Sequence, residues 1–208
     1  MAPVSKPRAI RRTILEMTNS REIEIKLRVP DADEARRLLR EAGFRIFRRK
    51  VFEANAIFDT PKLTLRKAGK LLRVRNAGGA ATLTYKGTAT VFKHKSREEL
   101  EIGIADPHRM SAILERLGLT PAFRYEKYRT EYWQSGQPGL AMLDETPIGV
   151  YLELEGPPRW IDSTARRLGF SPEDYITASY ASLYLEWRQR RRIRALHMLF
   201  KSRGSEAE

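Results

Sequence analysis

Residues 22–29, Glu-Ile-Glu-Ile-Lys-Leu-Arg-Val, alternate strictly between charged and apolar side chains, and Pro30 with Asp31 closes the run. In an extended strand, side chains two apart share a face, so Glu22, Glu24 and Lys26 line one side and Ile23, Ile25 and Leu27 the other. The same two-faced pattern recurs along the chain. Arg73 and Arg75 lie opposite Leu72 and Val74, while Thr82, Thr84 and Lys86 lie opposite Leu83 and Tyr85. Arg97, Glu99 and Glu101 oppose Leu100 and Ile102. Lys127, Arg129 and Glu131 form a further row, and Tyr151, Glu153 and Glu155 the last, backed by Leu152 and Leu154.

Strand-like stretches cover 22–29, 44–59, 70–76, 80–87, 97–104, 122–134 and 139–156, the last interrupted by Pro147 and Gly149. Asn76, Gly78 and Gly79 supply a hairpin turn. Helices are expected at 31–42, where an Asp precedes and Gly43 follows the apolar run, and at 107–117, with Pro in the first turn and Gly118 behind it. Helical patterns at 158–169 and 172–200 finish the chain. Strands outnumbering helices in this order predict an α+β fold with a large antiparallel sheet.

With 208 residues, 41% of them hydrophobic, the chain holds enough apolar side chain for one packed domain. The absence of cysteine excludes disulfides, thiolate nucleophiles, Fe–S clusters and Cys-based zinc sites, and fits a reducing cytoplasm. No apolar run approaches the roughly 18 residues of a membrane span, and the first 20 residues lack the apolar core of a secretory signal. A P-loop, a G-x-G-x-x-G and a G-x-S-x-G elbow are all missing. His94, His108 and His197 have no partner at i+4 and are expected on the surface. Trp160, Tyr184 and Trp187 read as core residues of the helices.

The net charge of +13 invites a nucleic-acid reading, but much of it sits at the ends. Residues 1–21 carry five basic side chains against Glu16, and residues 186–208 carry seven against three acidic ones. A solubilising arm and a solvated helix end are the favoured reading of these segments, with contact to nucleic acid or anionic lipid the less favoured one. The Leu/Tyr/Trp side of the last helix either packs on the sheet or joins a second copy in a homodimer.

The strand rows carry the chemistry. A solvated sheet face normally mixes Thr, Ser, Gln and Lys, whereas these rows are mostly Glu, Arg and Lys. Carboxylates at 22/24, 99/101 and 153/155 repel one another unless something positive lies between them. Clustered carboxylate oxygens suit a hard ion, Mg²⁺ or Mn²⁺, which commonly shares its shell with phosphates. Arg73, Arg75, Lys86, Arg97, Lys127 and Arg129 suit the accompanying dense anion. A sheet that curls until its charged face is enclosed turns these rows into a tunnel for a metal–polyphosphate complex.

Glu22-Ile-Glu24-Ile-Lys26 matches the ExExK signature of CYTH domains, the triphosphate tunnel metalloenzymes that include class IV adenylate cyclases, thiamine triphosphatases and inorganic tripolyphosphatases. The resemblance continues in order through Phe58-Asp59-Thr60, Leu72-Arg73-Val74-Arg75, Thr84-Tyr85-Lys86-Gly87, Arg97-Glu98-Glu99-Leu100-Glu101, Lys127-Tyr128-Arg129, Asp144, Tyr151-Leu152-Glu153-Leu154-Glu155 and Ser179-Tyr180-Ala181-Ser182-Leu183. It implies a closed eight-stranded antiparallel β-barrel tunnel over residues 21–185, with helices packed outside, a basic arm at 1–20, and a basic helix and tail at 186–208. By the same resemblance, Glu22, Glu24, Glu153 and Glu155 hold the divalent metal, with Asp144 and Glu101 as further candidates. Lys26, Arg73, Arg75, Lys86, Lys127 and Arg129 would bind the triphosphate of a small-molecule substrate. Lys86, Glu24 and Glu155 form the expected catalytic set, while Arg97 and Glu99 either join the site or pair with neighbours to hold the wall. Residues 144–153 depart from the Gly-rich pattern common in class IV cyclases, so hydrolysis is the first expectation and cyclisation of ATP the alternative. A non-catalytic module binding polyphosphate or nucleic-acid ends is the third.

Overall fold

The structure is a computed structural model and describes residues 21–201. The basic arm at 1–20 and residues 202–208 of the tail lie outside the described residues. Nine strands form one antiparallel sheet: β1 (Arg21–Val29), β2 (Arg45–Asp59), β3 (Leu71–Ala77), β4 (Ala80–Lys86), β5 (Thr90–Val91), β6 (Lys95–Ile104), β7 (Thr120–Trp133), β8 (Leu140–Thr146) and β9 (Gly149–Glu155). Their spatial order is β1-β9-β8-β7-β2-β3-β4-β6-β5, and β1 also pairs with β6. That additional pairing closes eight strands into a barrel, as expected, and leaves β5 as a two-residue flap on β6.

Closure sends the two faces of each strand to opposite fates. The apolar face of β1 points outward, where Ile25, Leu27 and Val29 join Ala141, Leu143, Leu152 and Leu154 in a core roofed by α1 (Ala32–Glu41) and α4 (Pro158–Arg167) through Leu39 and Ile161. Fully burying one such Leu or Ile stabilises by about 1.5–3 kcal/mol. Asp31 starts α1 by accepting from the Asp33 and Glu34 amides. A second exterior core joins Phe58 and Val74 to Leu114 of α3 (Pro107–Arg116), whose first turn holds Pro107 and whose cap is Asp106. The single-turn α2 (Thr64–Lys67), which no sequence pattern announces, is tied down by Asp59, whose carboxylate accepts from the Thr60, Leu65 and Arg66 amides.

The C-terminal segment differs from the helix expected at 172–200. It begins with a 3-10 turn at Pro172–Asp174, continues as α5 (Tyr180–Arg190), and then turns back to the sheet. Ser179 caps α5 by accepting from the Ser182 amide. The helix stops at Arg192, which adopts left-handed φ of 54°, while Ile193 and Arg192 donate to the Arg188 and Gln189 carbonyls. This is a Schellman stop with arginine where glycine is usual, so no residue in the sequence announces it. Before α5, Ile176 exchanges two backbone hydrogen bonds of 2.8 Å with Lys26. After it, Met198 pairs with Arg124 and Glu126 of β7, a stretch of that strand that β8 does not reach. The segment thus extends two strand edges and lays α5 across one end of the barrel. There Tyr180, Tyr184 and the fully buried Met198 pack on Phe123, Tyr125 and Tyr151, of which Tyr125 lines the lumen. Among the described residues, no helix is long and apolar enough to cross a membrane.

Candidate active site

The charged strand faces enclose a cavity of about 720 Å³. Its floor is the aromatic stopper around α5. Just beneath the lining, Asp144 has 0% exposure and accepts from Lys127 (2.9 Å), from both Arg129 Nε (2.7 Å) and Nη2 (2.6 Å), and from the Tyr180 hydroxyl (2.6 Å). Lys127 is buried because this carboxylate neutralises it; Glu53, 3.6 Å away, adds a second counter-charge. Arg73 Nη1 donates to the Tyr125 hydroxyl (3.3 Å) and Nη2 to Thr84 (3.2 Å), with Glu99 and Glu101 at 3.8 and 3.7 Å. Arg75 donates to Asn55 and lies 3.6 Å from Glu53.

Away from the floor, carboxylates converge on the seam between β1 and β9. Glu24 is directly opposite Glu155, and Lys26 opposite Glu153. Lys26 Nζ lies 3.2 Å from both Glu24 and Glu153, and Glu153 accepts from Arg129 at 2.8 Å. Lys95 also donates to the Glu24 oxygen that Lys26 contacts. Glu22 accepts from Lys86 at 2.7 and 2.6 Å and from Arg97 at 3.4 Å, while Lys86 also lies 2.9 Å from Glu99. Arg97 and Glu99 therefore face the lumen and pair with its other charges. The Glu155 side chain has no hydrogen bond or ion pair among the described residues, and Lys86 acts on it only from beyond ion-pair distance.

The electrostatics separate these acids. Burial alone would raise the pKa of Glu24, but Lys26, Lys95 and Lys86 outweigh it and hold the carboxyl well below its usual range. Glu153 is depressed against burial by Lys26, Arg129 and Lys127. Glu22 is raised by burial and by Glu24. Glu155 is pushed up to about 8 by burial together with Glu22 and Glu99. On the cation side, burial pushes Lys95 down against the pull of Glu24. Burial would raise the Tyr125 phenol, yet Arg73, Arg75 and Lys127 bring it to about 8.

Among the described residues no ready-made cluster of three metal-type ligands is present. The donor set nevertheless fits a hard divalent ion. It consists of carboxylate oxygens, and one carboxylate, Glu155, faces like charge without a close ion pair of its own among the described residues. Arg73 Nε and an oxygen each of Glu53 and Glu131 are buried without a hydrogen-bond partner, an unusual condition for polar groups in a finished core.

Glu22, Glu24, Glu101, Glu153 and Glu155 line the cavity together with Lys26, Arg73, Arg75, Lys86, Lys127 and Arg129. Asp144 lies behind that lining. Sequence reasoning missed Lys95, Glu53 and Tyr125, which also face the lumen. Lys95 was legible as the residue two before Arg97 in an alternating row. Glu53 was not, because β2 shifts register between Ile46 and Arg48 and again between Arg48 and Val51. Trp160 and Tyr184 are buried as expected, but His94 is mostly buried rather than on the surface, with its ring beside Asp162.

Residues 20–180 match the family model described as CYTH domain. A Methanocaldococcus jannaschii protein provisionally named an adenylate cyclase is 30% identical over 134 residues, which cover 64% of this chain and 75% of that protein. The solved PH1819 protein of Pyrococcus horikoshii OT3 superposes with a TM-score of 0.67 at 28% identity, covering 80% of this chain and 99% of that one. A Hippeastrum protein, provisionally an adenylyl cyclase and described with a dominant triphosphatase activity, shares the fold at a TM-score of 0.58 and 22% identity, covering 80% and 96% of the two chains. A charge-lined antiparallel barrel, the ordered strand motifs and a family match over most of its length together place this chain in the CYTH domain family.

Proposed function

We propose that this barrel hydrolyses a triphosphate compound, inorganic or organic, with Mg²⁺ or Mn²⁺ as cofactor. The observation that carries the reading is the partnerless Glu155 facing Glu24 across β1 and β9, with Lys26, Arg73, Lys127 and Arg129 on the surrounding walls. Glu22, Glu24, Glu153 and Glu155 would hold the ion, with Glu101 as an outer candidate, while Asp144, whose oxygens are taken by Lys127, Arg129 and Tyr180, would serve the framework. A divalent ion held there supplies neutralisation of phosphate charge and a fixed orientation for water. Lys26, Arg73, Arg75, Lys86, Lys127 and Arg129 bind the phosphate oxygens and stabilise charge that grows in the transition state. Asp144 and Tyr180 keep Lys127 and Arg129 aimed, so the cations need not reorganise during the reaction. Lys86 Nζ, between Glu22 and Glu99, is the candidate for passing the proton.

The 30% identical relative, provisionally named an adenylate cyclase, supports a second reading, in which the ribose hydroxyl of ATP attacks its own α-phosphate. Incubation with tripolyphosphate and with ATP, each with Mg²⁺ or Mn²⁺, separates the two. Orthophosphate supports hydrolysis, and cyclic AMP with pyrophosphate supports the cyclase. Binding without any turnover overturns both in favour of a binding module.

A further inference from the structure

Outside the barrel wall, Asp162 on α4 gathers three side chains. Lys93 Nζ donates to Oδ2 at 2.8 Å, His94 Nε2 lies 2.8 Å from Oδ1, and the Tyr175 hydroxyl donates to Oδ1 at 3.1 Å. They belong to two separate segments, the turn between β5 and β6 and the approach to α5. The residue after His94 is Lys95, whose ammonium enters the lumen on Glu24 Oε1. The residue after Tyr175 is Ile176, which is hydrogen-bonded through its backbone to Lys26, and Lys26 Nζ reaches that same Glu24 oxygen at 3.2 Å. One exterior carboxylate therefore anchors the segment that carries Lys95 and the segment that is backbone-paired with Lys26, the two lysines that share one acid oxygen. A lone exposed ion pair would contribute little. This anchor instead has three ligands, and its His94 side chain is only 12% exposed.

We infer that Lys95 is a further triphosphate-gripping cation of the lumen and that Asp162 is the residue that positions it. The inference rests on the triphosphate reading above. Lys26 has two carboxylate partners, Glu24 and Glu153, whereas among the described residues Glu24 is the one acid within ion-pair distance of Lys95. Once Glu24 serves a divalent ion, Lys26 keeps Glu153, but the Lys95 ammonium loses its counter-charge. Its Cα is fixed by pairing opposite Glu24 on one side and Val91 on the other, so the side chain stays in the cavity. Phosphate oxygens are then the acceptors within its reach, and a lysine offers them a mobile point charge. Asp162 sets where that charge begins by holding the two residues before it.

The test is calorimetric binding of bismethylene triphosphate, whose P–C–P bridges resist hydrolysis, in the presence of Mn²⁺. Lys95→Met is expected to weaken binding about tenfold, the loss of one charge-assisted contact, with Lys95→Arg retaining most of it. Asp162→Asn is expected to weaken it about threefold to tenfold in the wild-type background. Its effect should be clearly smaller in the Lys95→Met background, where only the Ile176 tie to Lys26 is left for it to act through, because residues acting through one another are non-additive. Undiminished binding by Lys95→Met overturns the role of Lys95. A fully additive double variant overturns the positioning role of Asp162 and makes it a structural anchor only. A wild-type chain that does not bind the probe overturns the triphosphate reading itself, and this inference with it.

Discussion

At the floor of the lumen Asp144 accepts from Lys127, Arg129 and Tyr180 with no exposed surface, whereas at the β1–β9 seam Glu155 faces Glu24 and has no partner among the described residues. Both are carboxylates on the inward faces of neighbouring strands, four residues or roughly 13 Å apart along the β8–β9 pair. Their difference lies entirely in what surrounds them. Charge that is fully paired inside a protein fixes geometry, and removing one member leaves an uncompensated ion. Charge that faces like charge is held at a cost to stability and is relieved by a ligand of opposite sign. The floor is therefore framework, and the seam is receptor.

The largest expected effect tests the receptor end. Glu155→Gln should lower metal-dependent phosphate release by roughly 10²–10³-fold, a loss typical of removing a preorganised electrostatic group, while its melting temperature holds or rises. Turnover within threefold of wild type would remove Glu155 from the site. Next comes the framework. Asp144→Asn should destabilise by about 3–5 kcal/mol in urea unfolding, the usual result of stranding buried cations. A variant that instead folds normally and loses Mn²⁺ affinity would move Asp144 to the acids that hold metal, and the contrast between the two ends would fail.

A smaller effect follows from the sign of the Glu155 shift. Its folded pKa of about 8 exceeds the ordinary 4.5, so between those values the folded chain keeps a proton that the unfolded chain has released. The stability it contributes is complete below 4.5 and is lost as pH rises through 8. Stability of the chelator-treated protein should fall across this window, and Glu155→Gln should flatten the fall. Mn²⁺ binding at neutral pH should release a proton, seen as a buffer-dependent heat in calorimetry. The smallest effect belongs to Tyr125, whose folded pKa of about 8 lies below the ordinary 10. Its contribution is present above 10 and is lost as pH falls through 8. A tyrosinate absorbance step near pH 8 should vanish in Tyr125→Phe; its persistence would assign the step to another phenol.

Sequence legibility follows the same physics. A period of two is stamped on β1, β3, β4 and β9 because each has one face in apolar packing outside the barrel and the other in the lumen, so their inward charges could be read directly. That packing is complete on β1 and β9 and partial on β3 and β4. In β2 the alternation is broken by its register shifts, and Glu53 was hidden by them. The sequence could show that Asp144 was acidic and inward, but not that Lys127, Arg129 and Tyr180 would converge on it from β7 and α5. Pairing across distant elements leaves no local pattern. The stop of α5 at a left-handed Arg192 is illegible for a different reason: tertiary docking of Met198 overrides the preference for glycine at such a position. The Asp162 anchor escaped notice because Lys93, His94 and Tyr175 carry no periodicity at all.

The backbone joins between Lys26 and Ile176, and between Met198 and β7, also set an order of events during synthesis. Strands made early cannot finish their hydrogen bonding until residues near the far end have left the ribosome. A nascent chain halted before Ile176 already holds all the strands that close the barrel but lacks α5, so the floor of its charged lumen would stay unplugged until that segment docks.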